Sequence, residues 1–283
     1  MSRHSMAKST LWALALCALG SSSIATAADR HGYLVSLLTG AYDNNEQVWQ
    51  QNEDDLPLGE RRHYVFAATD DANTLTFAVG AGQSADAPGW QFTFATRDER
   101  DDGGAVYRIS TIAPLGDSGR TCDWRWLPQG EGYRGSPVPR SRCDRSLPAA
   151  ISVDSDFLRV EYGRDAADQA RRVIFYRGWI SMKRQRIDPE AGDDDYLFMR
   201  DLTAHNEGFK TPLLDKDGAP SGYTVELARL TQQTTQAAVL KIGVIEDATG
   251  KTLRYAWADP FADRIGINLR WFTSGWTRIE TAP

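Results

Sequence analysis

The sequence predicts a mainly β, antiparallel fold, and three observations predict it. Almost every apolar stretch after Tyr42 is short and alternates with polar residues, the period-two pattern of strands with one wet face. Turn-rich clusters such as Thr69-Asp70-Asp71-Ala72-Asn73 separate these stretches. The 283 residues are 41% hydrophobic and 25% charged, with 24 Gly and 12 Pro, which excludes collagen-like, coiled-coil and low-complexity chains.

The chain begins with Arg3, His4 and Lys8 ahead of the apolar run Leu11 to Leu19, and small residues follow to Ala25-Thr26-Ala27. This is the pattern of a signal peptide over residues 1–27, cut after Ala27. The apolar run is about half of the ~20 residues that span a bilayer, so no transmembrane segment is expected after processing. A periplasmic or secreted location follows. Cleavage removes Cys17 and leaves Cys122 and Cys143, an even pair for which a disulfide is the leading expectation in an oxidising compartment. Two metal-ligand thiolates are the alternative, but neither a C-x-x-C pair nor a nearby His supports it.

Tyr33, Leu34, Leu37 and Leu38 form a narrow helical stripe that Gly40 ends, a fit to a left-handed cap. Strands are expected over residues 64–68, 75–79, 90–95, 105–112, 122–127, 157–162 and 172–183. The last is the most apolar. The acidic run Asp188 to Asp195, with Pro189 and Gly192, reads as an exposed loop and places a boundary between a region over 28–187 and another over 196–283. The second region reads as a meander of strands at 223–232, 236–246, 251–258 and 265–272. One face of this meander is apolar, carried by Leu240, Ile242 and Val244, by Leu253, Tyr255 and Trp257, and by Ile265, Ile267, Leu269 and Trp271. Such a face needs cover from the first region, a second sheet or another copy of the chain, so a homo-oligomer through the meander is one expectation.

The charge balance, 38 acidic against 32 basic residues, gives a net −6, with the basic residues scattered. No nucleic-acid groove is expected. Gly116-Asp117-Ser118-Gly119 matches a serine-protease tetrapeptide, but no upstream His lies in a suitable setting, and a turn is favoured. Asp215-Lys216-Asp217-Gly218 starts like a calcium loop, with Glu226 at its twelfth position. Ala219 stands where a ligand should be and the glycine comes early, so a hairpin turn is favoured. His31, His63 and His205 are isolated and no metal-hydrolase or phosphate-loop motif occurs, so no metal site is assigned. The acidic run 98–102 reads as a solvated loop. The nine Trp, ten Tyr and ten Phe are more suggestive. Trp90, Phe92 and Phe94 share one strand face and Trp124 and Trp126 another, suited to core packing, to a concave apolar pocket or to an exposed stacking platform for sugars, so an envelope glycan- or protein-binding module is a further expectation.

An order of landmarks runs through the first region. Leu34 to Gly40 is followed by Gln47, then by the aromatic strand from Trp90, then by Tyr107-Arg108, then by Cys122-Asp123-Trp124, Tyr133-Arg134-Gly135-Ser136 and Cys143-Asp144. Over residues 33–185 this order resembles the CpcT/CpeT chromophore lyase family. The resemblance implies a lipocalin-like antiparallel β-barrel whose interior holds a small apolar or tetrapyrrole-like ligand such as a bilin. It implies ligand contacts from Gln47, Trp90, Phe92, Phe94, Tyr107, Arg108 and Trp124, with Arg108 a cation for propionates. The activity it implies is that of a bilin lyase. Two segments depart from the family pattern, Phe94-Ala95-Thr96 and Gly163-Arg164-Asp165, and no catalytic residue is assigned.

Overall fold

The computed structural model describes residues 27–71, 73–82, 88–97, 104–111, 121–144, 146–163 and 166–280. The expectations for most of the signal peptide, for the Gly116–Gly119 tetrapeptide and for the acidic run 98–102 fall outside the described residues. No helix among the described residues is long and apolar enough to cross a membrane.

Ten antiparallel strands close into a barrel: β1 (Gly40–Asp43), β2 (Arg62–Ala68), β3 (Thr74–Ala81), β4 (Pro88–Arg97), β5 (Ala105–Thr111), β6 (Thr121–Gln129), β7 (Gly132–Pro137), β8 (Ala150–Val153), β9 (Phe157–Glu161) and β10 (Ala167–Arg172). Neighbours in sequence are neighbours in the barrel, and β1 pairs with β10 to close it, Tyr42 opposite Arg172. Alternation decides which side chains face inward. Tyr64 and Phe66, Trp90 and Phe92, Tyr107 and Ile109, and Trp124 and Trp126 form one continuous core while their odd-phase neighbours face out.

The expected helix is present as α1 (Ala27–Leu38). Leu34, Leu37 and Leu38 seal into the barrel core. Gly40 follows with a φ of +140°, outside the left-handed helical cap geometry but in the positive-φ range that favours glycine, and a Cβ there would sit 2.7 Å from Arg172 Nη1. Glycine is thus required so that the Arg172 guanidinium can reach the carbonyl oxygens of Thr39, at 2.8 Å, and Leu37. The expected disulfide joins Cys122 on β6 to Cys143 in the segment after β7.

The second region is a pair of four-stranded antiparallel sheets. One has the order β12 (Tyr196–His205), β11 (Phe175–Lys183), β18 (Phe272–Ile279), β17 (Arg264–Asn268). The other runs β13 (Phe209–Leu214), β14 (Pro220–Thr231), β15 (Ala238–Glu246), β16 (Lys251–Ala258). Their inner faces share a core that includes Tyr176, Ile180, Leu227, Leu240, Ile242, Val244, Phe272 and Trp276. The expected fourth meander strand is β17, which ends at Asn268 and belongs to the other sheet. The apolar face of β14 to β16 is thus covered by the chain's own second sheet, and the reason for expecting another copy there is met internally.

Two sequence expectations are corrected. The change of sheet system comes at Val173–Ile174, directly after β10, and β11 belongs with β12 and β18. The acidic loop 188–195 lies inside the second region, joining β11 to β12, and Arg184 ties it down through Asp188 at 3.0 Å and Asp195 at 2.9 Å. On β16, Leu253 packs against the core while Tyr255 and Trp257 are exposed. A register shift opposite Val244 and Ile245 leaves Leu253 unpaired and moves every later side chain by one phase.

Candidate functional site

The barrel lumen is lined by rings in contact. Phe77 stacks on Phe66 at a centroid distance of 4.3 Å, Trp90 lies 5.4 Å from Phe77, and Phe92 meets Trp124 edge to face at 6.2 Å. Gly135, opposite Trp126 on β7, makes room for the indoles, since a Cβ there would lie 2.2 Å from Trp124 Nε1 and 2.7 Å from Trp126 Cδ2. The indole N–H groups of Trp90, Trp124 and Trp126 are all buried and have no hydrogen-bond acceptor among the described residues. An unmet buried donor costs roughly 1–3 kcal/mol, so three on one wall are an unusual concentration.

Polar groups stand at both ends of this lumen. Near α1, the Tyr107 hydroxyl lies 2.9 Å from His31 Nδ1, and the His31 ring sits 4.3 Å from Phe94. Burial pushes the Tyr107 phenol well above its usual value, so it stays protonated. The register Gly40 to Phe66 and Asp43 to His63 puts Arg62 and Tyr64 at the opposite end of these strands. There Asp168 accepts from Arg62 Nη1 at 2.8 Å and from the Tyr64 hydroxyl, which is also 3.0 Å from the Tyr162 hydroxyl. Burial, then the Tyr162 neighbour, push the Tyr64 phenol far up, so it too remains a donor.

Of the residues expected from sequence, Trp90, Phe92, Tyr107 and Trp124 meet in the lumen, and Phe94 packs against it half-buried. Two do not join them. Arg108 follows the inward Tyr107 by one residue and so points outward, where it pairs with Asp123 at 3.4 Å in an exposed position. Gln47 lies on α2 (Asn45–Glu53), outside the barrel. Its side-chain amide donates to the Ala167 carbonyl at 3.1 Å and its Oε1 accepts from Gln169 N–H at 2.7 Å, bracketing α2 to β10. It also lines a cleft of about 350 Å³ with Gln50, Phe157 and Arg171. The Asp215 segment is a hairpin turn. The Asp215 carboxylate accepts from the N–H groups of Asp217 and Ala219, while Glu226 is held by Lys210 and Lys241.

Sequence reasoning missed a second cluster, at the joint between barrel and sandwich. Asp43 on β1 and His63 on β2 are cross-strand partners on the outer face, with His63 Nδ1 3.1 Å from Asp43 Oδ2. His205, at the end of β12, stacks on His63 at 5.2 Å. One ligand atom from each of Asp43, His63 and His205 lies within 4.8 Å of the others, and all three residues are buried. The environment does not suit a cation. Arg61 engages both Asp43 oxygens at 3.2 Å, placing its own positive charge on the carboxylate, and His205 Nδ1 already accepts from Glu207 N–H at 3.2 Å.

The cluster instead fastens the two regions. Arg61 donates to the carbonyls of Glu207 and Gly208, Glu46 Oε1 accepts from Thr231 N–H at 3.0 Å, and Asn206 exchanges hydrogen bonds with the backbone of Ile174 at 2.8 and 3.0 Å. Glu207 pairs with Arg229 at 2.9 Å, fully buried. Gly208 has a φ of +65°, and a Cβ there would lie 2.4 Å from Asn45 Oδ1, so only glycine lets the 205–208 turn dock on α2.

The fold and lumen define a closed antiparallel barrel packed with aromatic rings, joined to a two-sheet sandwich. No family model, curated protein or solved structure matches the chain.

Proposed function

We propose that this is an exported binding protein whose barrel takes a small, flat, largely apolar ligand carrying acceptor atoms, of the tetrapyrrole class. The observation that carries this reading is the trio of buried indole N–H donors, Trp90, Trp124 and Trp126, on the inner wall with no acceptor among the described residues. A molecule with ring faces for Phe77, Phe92 and Trp124 and a lactam or carboxylate oxygen for the indoles would supply what the wall lacks. The order of landmarks shared with the CpcT/CpeT family supports the same ligand class. No residue is given a catalytic role, and Arg108, on the outer face, is given no ligand role.

The test is titration of the full chain with biliverdin and with haemin, followed by visible absorbance, induced circular dichroism and Trp quenching. Saturable binding with an induced visible signal is expected. Trp124→Phe, which keeps a ring and removes the N–H, should weaken it about five-fold, corresponding to one neutral hydrogen bond. Arg108→Ala should leave it unchanged. Absence of saturable binding to both pigments would sink the proposal.

A further inference from the structure

The outer face of the β12–β11–β18–β17 sheet carries a second built site, unrelated to the lumen. Trp179 and Phe198 are 38% and 49% exposed, and their rings lie near-parallel, 11° apart with centroids 5.8 Å from each other. Chance exposure of one ring needs no explanation, but two adjacent rings in one cleft do. The cleft, of about 470 Å³, is completed by Arg177, Gly178, Arg200 and Asp201.

The backbone builds this arrangement. Gly178 pairs with Leu202 and Ile180 with Met199, so Arg200 and Asp201 on β12 stand opposite the single residue Trp179 on β11. This is a β-bulge, with Asp201 held at a φ of +54°, and it turns the Arg200 and Asp201 side chains toward the indole. Across the other edge of β11, Trp179 faces Gly275, where a Cβ would lie 3.1 Å from the indole Nε1. Glycine at that position lets the indole lie flat against the sheet. The Arg200 guanidinium is 4.6 Å from the Phe198 ring centre, which fixes its plane.

Charge identifies the occupant. Arg61, Arg62, Arg134, Arg159, Arg171, Arg184 and Arg229 each have a carboxylate partner. Among the described residues neither Arg177 nor Arg200 has one, and Asp201 has no cationic partner. Two guanidiniums without carboxylate partners, that of Arg200 resting on the Phe198 ring, stand beside the half-exposed Trp179 indole and suit an anion with an apolar face. Asp201 adds an acceptor for hydroxyl groups. We infer that the Trp179–Phe198 cleft binds an acidic saccharide. The C–H face of its pyranose rings stacks on Trp179, its uronate carboxylate meets Arg177 and Arg200, and its hydroxyls donate to Asp201.

The experiment is calorimetry of the full chain against oligogalacturonate, oligomannuronate, hyaluronan and heparin fragments, the corresponding neutral oligosaccharides, and poly-glutamate. At least one uronate ligand is expected to bind saturably. Trp179→Ala should weaken it ten-fold or more and the double variant Arg177→Ala/Arg200→Ala by a similar factor, with Trp179→Phe retaining most of the affinity. Pigment titration of the Trp179→Ala chain checks that the fold is intact and that the lumen is separate. Silence across the uronate panel overturns the inference, as does binding that survives Trp179→Ala. Equal binding of neutral sugars would refute the role of the arginines, and equal binding of poly-glutamate would refute the saccharide.

Discussion

Glu207 is a fully buried carboxylic acid at the joint between the two cores. Burial, opposed by Arg229 and Arg171 and reinforced by Asp43 and Glu46, raises its carboxyl to about 8. The folded protein thus holds this proton more tightly than the unfolded chain, whose carboxyl has the ordinary value of 4.5. Its contribution to stability is complete below about pH 4.5 and declines as pH rises toward about 8, by an amount on the order of a few kcal/mol. The urea midpoint of the wild-type chain is expected to fall over that window, and Glu207→Gln, which cannot titrate, should flatten the fall. Parallel profiles for the two proteins would show that Glu207 is not the titrating group. Nothing in the sequence around His205-Asn206-Glu207-Gly208 signals any of this. These residues acquire their role only when the turn docks on β1 and α2, so they carry no local periodicity to read.

At the scale of elements, legibility followed amphipathicity. Trp90 and Phe92 on β4, Trp124 and Trp126 on β6, and Leu240, Ile242 and Val244 on β15 alternate cleanly, and their burial follows the alternation. Helix α2, Asn-Glu-Gln-Val-Trp-Gln-Gln-Asn-Glu, was illegible because its one buried residue is Glu46, held by polar contacts rather than by an apolar stripe. On β16 the bulge at Leu253 defeated a correct period by shifting its phase. The cysteine pair was legible from parity and compartment, and its effect can be measured. The bridge closes a sequence separation of 21 residues, for which chain entropy gives about 3 kcal/mol. Cys122→Ser/Cys143→Ser should lower the urea midpoint by a corresponding amount. Denatured, unreduced wild-type protein with residue 17 removed should show no free thiol, and two reactive thiols would refute the bridge.

For the whole molecule the question is how two separate cores become one body. The answer is polar. Beyond the short crossing at Val173–Ile174, hydrogen bonds cross from Arg61 to the carbonyls of Glu207 and Gly208, from Thr231 N–H to Glu46 and from Arg229 to the Arg172 carbonyl. Removing one partner of a buried charge pair costs about 3–5 kcal/mol because it strands the other. Arg61→Met takes the guanidinium from the buried Asp43, leaving it His63 and the Asn45 N–H, and frees the carbonyls of Glu207 and Gly208. Calorimetric unfolding of this variant is expected to shift down and separate into two transitions, one for each core. A single transition at the wild-type temperature would mean that the fastening lies elsewhere.

The path of the chain through its two closures has a consequence for the order of events when the protein is made. Asp43 finds its second neighbour only in Arg171, and Phe175 finds one of its neighbours only in Ile279. A polypeptide delivered from its amino end therefore carries β1 through β9 as an open ribbon with two raw edges until β10 arrives, and then repeats the wait with β11 until β18. Neither half can be closed before its final strand arrives, because that strand is also the partner of its first, and the loop-closing entropy is met late in both. Refolding from the complete chain is free of this schedule, so nascent and refolded molecules reach the same architecture by different sequences of contacts.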